Sequence, residues 1–566
     1  MIYLERDKII VVDPSKCIGC GACIRNCPAE EANVTQLLPD GRQITTVNPE
    51  RCITCGECVR TCEHGARDYV DDTEAFMSYI LSNKGIVLAT PSIKTAFPTT
   101  WKSILDYFRE AGCLVYDVSF GADICTWAHL RALANAKQKG QKMKIITQPC
   151  AAIVKYIEMY KPQLLTSLVK IHSPISCAAV YIKKYLRRSE PIAVLSPCIA
   201  KKQEFVETRL VDYNVTFEKL TKYFERAGIF IKSHDPHDYH YDFDDNQGQV
   251  GSIYPRPGGL RDNLWLHDLD INITTSEGVH KVYKELDDYA NMTEFNRPEV
   301  FDVLSCEFGC NIGPASGNKR TMFEALSAMR EIEAASKKNR KTTGILKQGE
   351  DKLFKNFDEN LNLKDFMRSY IAYNQSPVPT AEQLNSVYEM MGKHTEAQRK
   401  YNCHACGYSS CEKMATAIFR GLNSPDNCMV HAKEALLARH SALASAHEKL
   451  SEITEECKTL SNTLLSEVTD IKNSISNIDN ASNASNERAN DVQDLLTNVI
   501  DFCQQNDTLD SSSIKTLIDI LNTTKDAFSA LYKNINSTKQ NSGKVESSIE
   551  EISKLVDKIN DTLVNT

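Results

Sequence analysis

Four cysteines in three separate stretches of this 566-residue chain have the type and setting to hold an iron–sulfur centre. Two of them, Cys306 and Cys310, lie in Leu304-Ser305-Cys306-Glu307-Phe308-Gly309-Cys310-Asn311-Ile312-Gly313. A cubane cluster takes four thiolates, so this pair must recruit two more from elsewhere in the fold. The candidates are Cys150, in Thr147-Gln148-Pro149-Cys150-Ala151-Ala152, and Cys198, in Ser196-Pro197-Cys198-Ile199-Ala200-Lys201-Lys202. Any one of these alone reads as a buried structural cysteine, since free cysteine behaves as a small hydrophobe. As a set they share a context. Each sits in a Gly- or Pro-marked turn after an apolar run (Lys144-Ile145-Ile146, Ile192-Ala193-Val194-Leu195, Val303-Leu304). Such positions are strand ends, where sites are usually built.

The three loops, in this order, resemble the signature motifs of the [FeFe]-hydrogenase catalytic domain, which read roughly TSCCPxW, MPCxxKxxE and ExMxCxxGCxxG. Here they read TQPCAAI, SPCIAKKQE and DVLSCEFGCNIG. The resemblance implies that Cys150, Cys198, Cys306 and Cys310 hold the [4Fe-4S] part of an H-cluster. Cys310 would be shared with a di-iron part carrying CO, cyanide and a bridging azadithiolate. Lys201 matches the family lysine that contacts a cyanide. Phe120-Gly121-Ala122-Asp123 matches a further family segment, and the likeness runs from about residue 1 to 320.

The chain departs from that pattern where protons would move. Fast family members carry a thiol immediately before the first-loop cysteine; here Pro149 can neither donate nor accept a proton. Ala128-His129 stands where the family has two adjacent acids, and Ser196 and Leu304 replace methionines. A slow enzyme with a rebuilt relay is expected, with Cys177, His129 and Glu204 as the relay candidates. For each the rival is structural: Cys177 on an apolar helix face, Glu204 simply paired with a lysine.

Two further cysteine sets stand beside this one. Residues 1–80 carry Cys17, Cys20, Cys23 and Cys27-Pro28, then Cys52, Cys55, Cys58 and Cys62. This is the bacterial two-cluster ferredoxin spacing, in which the fourth cysteine of each run serves the other cluster. One cubane is therefore expected on Cys17, Cys20, Cys23 and Cys62, the other on Cys52, Cys55, Cys58 and Cys27. Residues 401–430 carry Cys403, Cys406, Cys411 and Cys428, a spacing that resembles a small [4Fe-4S] domain of corrinoid iron–sulfur proteins and some sensory hydrogenases. With only four thiolates, zinc is a rival there. Cys411 is placed in the first turn of a helix 410–420 capped by Ser409 or Ser410. Cys113, Cys125, Cys177, Cys457 and Cys503 have no partner at ligand spacing and read as packing residues.

Several elements must position these groups. Residues 81–315 alternate short apolar runs (85–89, 113–116) with helical patterns such as 101–111, which reads as α/β layering. Gly258-Gly259-Leu260 and Thr274-Thr275-Ser276-Glu277-Gly278 read as loops, and no phosphate-cradling motif occurs, so no flavin or nicotinamide site is expected. Residues 316–400 read as charged helices, as in 320–338 and 361–373, with a turn at Ser376-Pro377-Val378-Pro379. From 436 onward the chain lacks Trp and Pro and has Gly only at 543. Apolar or small residues recur at steps of three and four from Leu464 to Cys503 and from Ile514 to Leu563, the pattern of a left-handed coiled coil. Asn506–Ser512 is a turn that lets the two helices fold back as a hairpin. The polar seam stretches Ser482–Ser485 and Thr538–Ser542 weaken packing locally, as would suit an element with alternative arrangements.

The expected organisation is thus an α/β H-cluster domain with a helical connection (81–395), an N-terminal two-cluster ferredoxin-like domain (1–80), a small C-terminal [4Fe-4S] domain (396–435) and an all-α coiled-coil signalling or dimerisation tail (436–566). A net charge of −8 gives no reason to expect nucleic-acid binding. No apolar run approaches the roughly 20 residues that span a bilayer. The charged N-terminus, Met1 to Lys8, lacks a signal-peptide core. Twenty-one cysteines suit metal clusters in a reducing cytosol, so a cytoplasmic protein of an anaerobe is expected. Three [4Fe-4S] clusters would accompany the H-cluster. The functional expectation is slow reversible interconversion of protons, electrons and H2 in the sensory (HydS-like) subgroup, signalling through a coiled-coil homo-oligomer to a downstream kinase or phosphatase. The alternative is a metabolic ferredoxin-dependent hydrogenase whose tail only oligomerises it. Either role calls for a redox partner such as ferredoxin and for hydrogenase maturation proteins.

Overall fold

The structure is a computed structural model and describes residues 8–141, 143–317, 320–339, 352–373, 375–505 and 511–564. The chain divides into two compact units, Met1–Ala432 and Lys433–Thr566. Residues 1–7 of the N-terminal stretch lie outside the described residues.

The first unit opens with two antiparallel strand pairs. β1 (Ile10–Val12) pairs with β4 (Arg67–Tyr69), and β2 (Asn33–Leu37) with β3 (Gln43–Val47). Between them, short helices α1 (Ala22–Arg25) and α2 (Glu57–Thr61) each start from a left-handed glycine inside a cysteine run, Gly21 and Gly56. At Gly56 two demands meet. Its φ is +79°, and a Cβ there would come within 2.8 Å of Ile199 and Pro314 side-chain atoms. Only glycine lets this ferredoxin loop approach the residues that follow Cys198 and Cys310.

The next layer holds seven parallel strands in two sheets, not one. The four-stranded sheet has the order β6 (Leu114–Asp117), β5 (Ile86–Ala89), β8 (Ile192–Ser196), β9 (Tyr213–Thr216). The three-stranded sheet has the order β10 (Ile273–Glu277), β11 (Val300–Leu304), β7 (Ile145–Ile146). β5, β8 and β11 are buried along their whole length, as strands covered on both faces must be. Helices α3 (Val118–Gln138), α4 (Ala151–Tyr160), α5 (Pro174–Val180), α6 (Lys201–Thr208) and α7 (Gly259–Trp265) connect or cover them.

Three expectations are corrected here. Residues 274–277 form strand β10, paired in register from Ile273 with Val300 to Glu277 with Leu304. It is an edge strand, so its polar Thr and Ser residues mimic a loop. Gly259 opens helix α7 rather than continuing a loop, and a Cβ there would meet the Ile253 carbonyl at 2.3 Å. Residues 361–373 hold one short turn, Leu363–Phe366, followed by an extended strap. Tertiary anchors override the helical pattern: Phe366 is buried, and the Arg368 amide donates to the Lys170 carbonyl.

α8 (Cys411–Phe419) follows, and the Ser410 hydroxyl accepts from the Lys413 amide at 3.1 Å. The expected serine cap is therefore Ser410.

The second unit consists of α9 (Met429–Gln505, which begins in the first unit) and α10 (Ser511–Val564). Hydrogen bonds among their described residues join them: Lys539 to Asn483 at 2.7 Å, Asn486 to Asn536 at 3.0 Å, and Gln493 to Ser529 at 2.9 Å. Each step forward on one helix is matched by an equal step back on the other, so the pair is antiparallel. Buried residues recur at seven-residue steps, Ile475, Ser482, Ala489 and Ser542, Ile549, Val556. Residues 506–510 of the expected turn and the Leu563 side chain lie outside the described residues. Among the described residues no helix is long and apolar enough to cross a membrane.

Candidate active site

Strands β7, β8 and β11 end beside one another although they belong to two sheets. The loops that leave them carry Cys150, Cys198, Cys306 and Cys310 into the wall of one largely apolar cavity, joined there by Lys201, Pro149 and Tyr254. The thiols crowd one another in a dry setting. Burial, then Cys150, pushes Cys198 up to about 11; burial, then Cys198 and Cys150, pushes Cys310 up to about 12. Cys306 rises for the same reasons, with Cys55 of the ferredoxin loop among its influences. Three such thiols become thiolates together only around a strongly electropositive body. Among the described residues no three His, Cys, Asp or Glu groups close on a single ion. Four cysteines gathered from three loops into one buried wall fit the donor set that a [4Fe-4S] cluster takes.

Lys201 and Glu204 form one buried knot. The Lys201 ammonium donates to the Pro149 carbonyl at 3.1 Å and pairs with the Glu204 carboxylate at 2.5 Å, tying the second loop to the first. Ser173 and Ser176 hydroxyls donate to the same carboxylate at 2.5 and 2.8 Å, and Arg368 stands 3.9 Å away. Burial alone would raise the Glu204 carboxyl, but Lys201 and Arg368 outweigh it and hold it down at about 2. From there Arg368 bonds Glu207 at 3.0 Å, and Glu207 bonds Lys155 at 2.5 Å. Arg368 escaped the sequence reading because its strap looked like a polar helix.

His129 and Cys177 are brought together, but around a residue read as plain packing. His129 Nδ1 lies 2.7 Å from the Cys125 carbonyl and Nε2 lies 3.1 Å from Gln148 Oε1. The Gln148 amide nitrogen is committed to the His172 carbonyl at 3.0 Å, which leaves its oxygen to accept. Both imidazole nitrogens therefore face acceptors, and the assignment that satisfies the network is imidazolium. Beside it lies Cys125, whose Sγ is 3.7 Å from His129 Nδ1 and 3.5 Å from the His172 carbonyl oxygen. Burial pushes that thiol up, but the Cys177 hydrogen bond and the His129 charge bring it well below its ordinary value. Cys177 Sγ donates to the His172 carbonyl at 3.3 Å, and burial keeps it a thiol. Tyr254, which lines the cavity, bonds Thr126 at 2.8 Å beside Cys125. Cys125, read as a packing residue, is packed in an apolar core and also touches this polar cluster, for which i, i+4 spacing to His129 on α3 was the one available signal.

The other cysteine sets also converge. Cys27, Cys52, Cys55 and Cys58 line one small enclosed cavity, while Cys17 stands near Cys23. Burial raises the Cys406 thiol, with Cys428 and Cys403 nearby adding to the rise, and Cys411 shares a core with Cys428.

Comparison with known proteins agrees with this picture. Residues 83–266 match the family described as iron only hydrogenase large subunit, C-terminal domain. Residues 9–63 match a 4Fe-4S dicluster domain, and residues 400–430 match a putative Fe-S cluster family. Over 253 residues the chain is 29% identical to the periplasmic [Fe] hydrogenase large subunit of Nitratidesulfovibrio vulgaris, which covers 40% of this chain and 60% of that protein. The chain thus spans about 60% of the length of this curated relative. Among solved structures, one on oxygen inactivation of [FeFe]-hydrogenase aligns with a TM-score of 0.40 at 13% identity. A variant of HydA1 from Chlamydomonas reinhardtii aligns with 0.39 at 13%; each covers 54% of this chain and 100% of the other. Residues 83–266 are thus similar to the iron-only hydrogenase large-subunit domain, and the curated relative is itself a hydrogenase large subunit. The third loop, with Cys306 and Cys310, lies beyond the matched stretch, so its place in the site rests on geometry.

Proposed function

We propose that this chain is a slow [FeFe]-hydrogenase that interconverts 2 H+ + 2 e− and H2 in the cavity between the three loops. The observation that carries this reading is the convergence of Cys150, Cys198, Cys306 and Cys310 with Lys201 in one buried wall. These four cysteines would hold the [4Fe-4S] part of an H-cluster, Cys310 being shared. The bound centre supplies an open metal position and, on its azadithiolate amine, the first base.

The protein's own residues would exclude water, hold the centre and move protons. Lys201 fixes the first loop against the second through Pro149 and presents a cation to the cavity wall. Glu204, held near 2, stays a carboxylate and orients Lys201 instead of carrying protons at neutral pH. Proton exchange falls to the Cys125–His129 pair reached through Tyr254, with Cys177 as its thiol neighbour. Replacement of the first-loop thiol by Pro149 makes this route longer, and turnover correspondingly low. Electrons would leave by the set on Cys27, Cys52, Cys55 and Cys58, then by that on Cys17, Cys20, Cys23 and Cys62, to a ferredoxin-like partner.

A sensory role in the cytoplasm, with signalling through the helical pair to a kinase or phosphatase, draws on one feature. Cys428, the last cysteine of the 400–430 set, directly precedes the 77-residue helix α9. Infrared spectra of the protein assembled with maturation proteins test the catalytic reading: bands of iron-bound CO and cyanide support it, and their absence in iron-replete protein overturns it. Partner capture by residues 436–566 that changes under H2 supports sensing; H2-independent capture supports the metabolic role with an oligomerising tail.

A further inference from the structure

The 400–430 segment does not stand apart from the ferredoxin part. It is seated on the stretch Ile24–Thr35, which links the two N-terminal cysteine runs. Gly407, at φ +92°, lies so close that a Cβ would meet Ile24 Cγ2 at 2.8 Å and the Arg25 amide nitrogen at 3.0 Å. Lys413 bonds Glu30 at 2.7 Å, and Arg420 pairs with Glu31, which Arg51 also holds at 3.2 Å. The Thr35 amide donates to the Leu422 carbonyl at 3.2 Å, and its hydroxyl joins Asn423 and Asn427 at 2.9 and 2.6 Å. Beneath these contacts Cys23, Ile24, Cys58, Tyr408, Cys411 and Cys428 share one apolar core. Two ion pairs, a backbone bond and a close-packed glycine make a fixed joint, not a tether.

We propose that residues 400–430 are a second electron terminus, docked so that their thiolate-held site exchanges electrons directly with the ferredoxin sites. The inference rests on the reading that all three cysteine sets hold [4Fe-4S] clusters. In the oxidative direction H2 yields two protons and two electrons. The electrons leave the set beside Cys306 one at a time through the ferredoxin sites: one reduces the 403–428 site by a single electron and the other leaves by the N-terminal run to a ferredoxin-like acceptor. The N-terminal exit remains open, since Cys20, in the first run, is exposed. The path therefore forks, and only one branch ends where α9 starts. The 400–430 fold is then a positioning device: Gly407, Lys413 and Arg420 set how closely two thiolate sets approach.

Electron paramagnetic resonance of the full chain, with its [4Fe-4S] clusters assembled and dithionite as reductant, tests this without calling on H2 chemistry. The signal abolished by Cys411→Ser identifies the 403–428 site. In the wild type that signal is expected to be broadened and hard to saturate, because a neighbouring spin relaxes it. Lys413→Glu/Arg420→Glu turns both ion pairs into like-charge contacts. It should leave the iron content unchanged while the power for half-saturation falls several-fold, and Glu30→Lys/Glu31→Lys added to it should bring the broadening back. A narrow, easily saturated signal in the wild type overturns the proposal, whatever the variants do. So does a spectrum unchanged by the double reversal at full iron content. Loss of hydrogenase activity with the broadening intact would instead count against the catalytic reading.

Discussion

The Lys201 ammonium donates to the carbonyl of Pro149, 52 positions earlier in the chain, at 3.1 Å. The residue that costs the first loop its proton-carrying thiol is thus used by the second loop as an anchor. Because that ammonium also neutralises buried Glu204, removing it does two things at once. It frees Pro149 and strands a carboxylate whose nearest remaining cation, Arg368, is 3.9 Å away.

Lys201→Ala is therefore expected to destabilise the first unit by about 3–5 kcal/mol, the cost of leaving one partner of a buried pair uncompensated. Lys201→Ala/Glu204→Gln should recover much of that loss. Thermal unfolding of the two variants beside wild type measures the difference.

Acid should act through the same pair. Glu204 titrates at about 2 in the fold against 4.5 ordinarily, so its contribution is fully present above pH 4.5 and lost as pH falls toward 2. Stability in wild type should drop more steeply through that window than in Glu204→Gln. Urea unfolding at several pH values between 2 and 6 checks the sign; equal slopes would exclude the assignment.

His129→Phe removes the imidazolium that faces Cys125 and Gln148. If protons pass this pair, H2 evolution should fall by about 10²-fold or more, in line with loss of a positioned acid–base group. Cluster content and infrared bands should stay as in wild type. Cys125→Ser should follow it, whereas Pro149→Cys should not restore a fast rate.

The antiparallel register of α9 and α10 predicts which positions can be cross-linked. In a background free of Cys457 and Cys503, Asn486→Cys/Asn536→Cys should form a disulfide on mild oxidation. Asn486→Cys paired with Ser529→Cys, seven residues out of register, should not. Peptide mapping of the oxidised protein reads the outcome.

Cys406→Ser should cost the iron of one cluster and leave the N-terminal sets loaded. Parallel iron and zinc analysis of wild type and variant settles which metal the 403–428 set takes.

Local spacing by itself determined a good deal here. The doubled ferredoxin run and the 403–428 set stand out in the chain because cluster chemistry fixes how far apart ligands sit on a short turn, whereas Cys150, Cys198, Cys306 and Cys310 were grouped by resemblance of their loops. The strand ends before Cys150, Cys198 and Cys306 were legible as short apolar runs, and the serine cap before Cys411 as side-chain chemistry within one turn. Only the tertiary structure decided that the parallel strands split into two sheets and that polar β10 is an edge strand. It also decided that residues 361–373 are a strap delivering Arg368 to Glu204, and that buried Cys125 lies against both His129 and Cys177. The antiparallel register likewise lays the polar seam stretches 482–485 and 538–542 against each other, which neither helix reveals alone. Each of these outcomes is a pairing between segments far apart in the chain. Periodicity records which face of a segment is apolar; it does not record which other segment covers it.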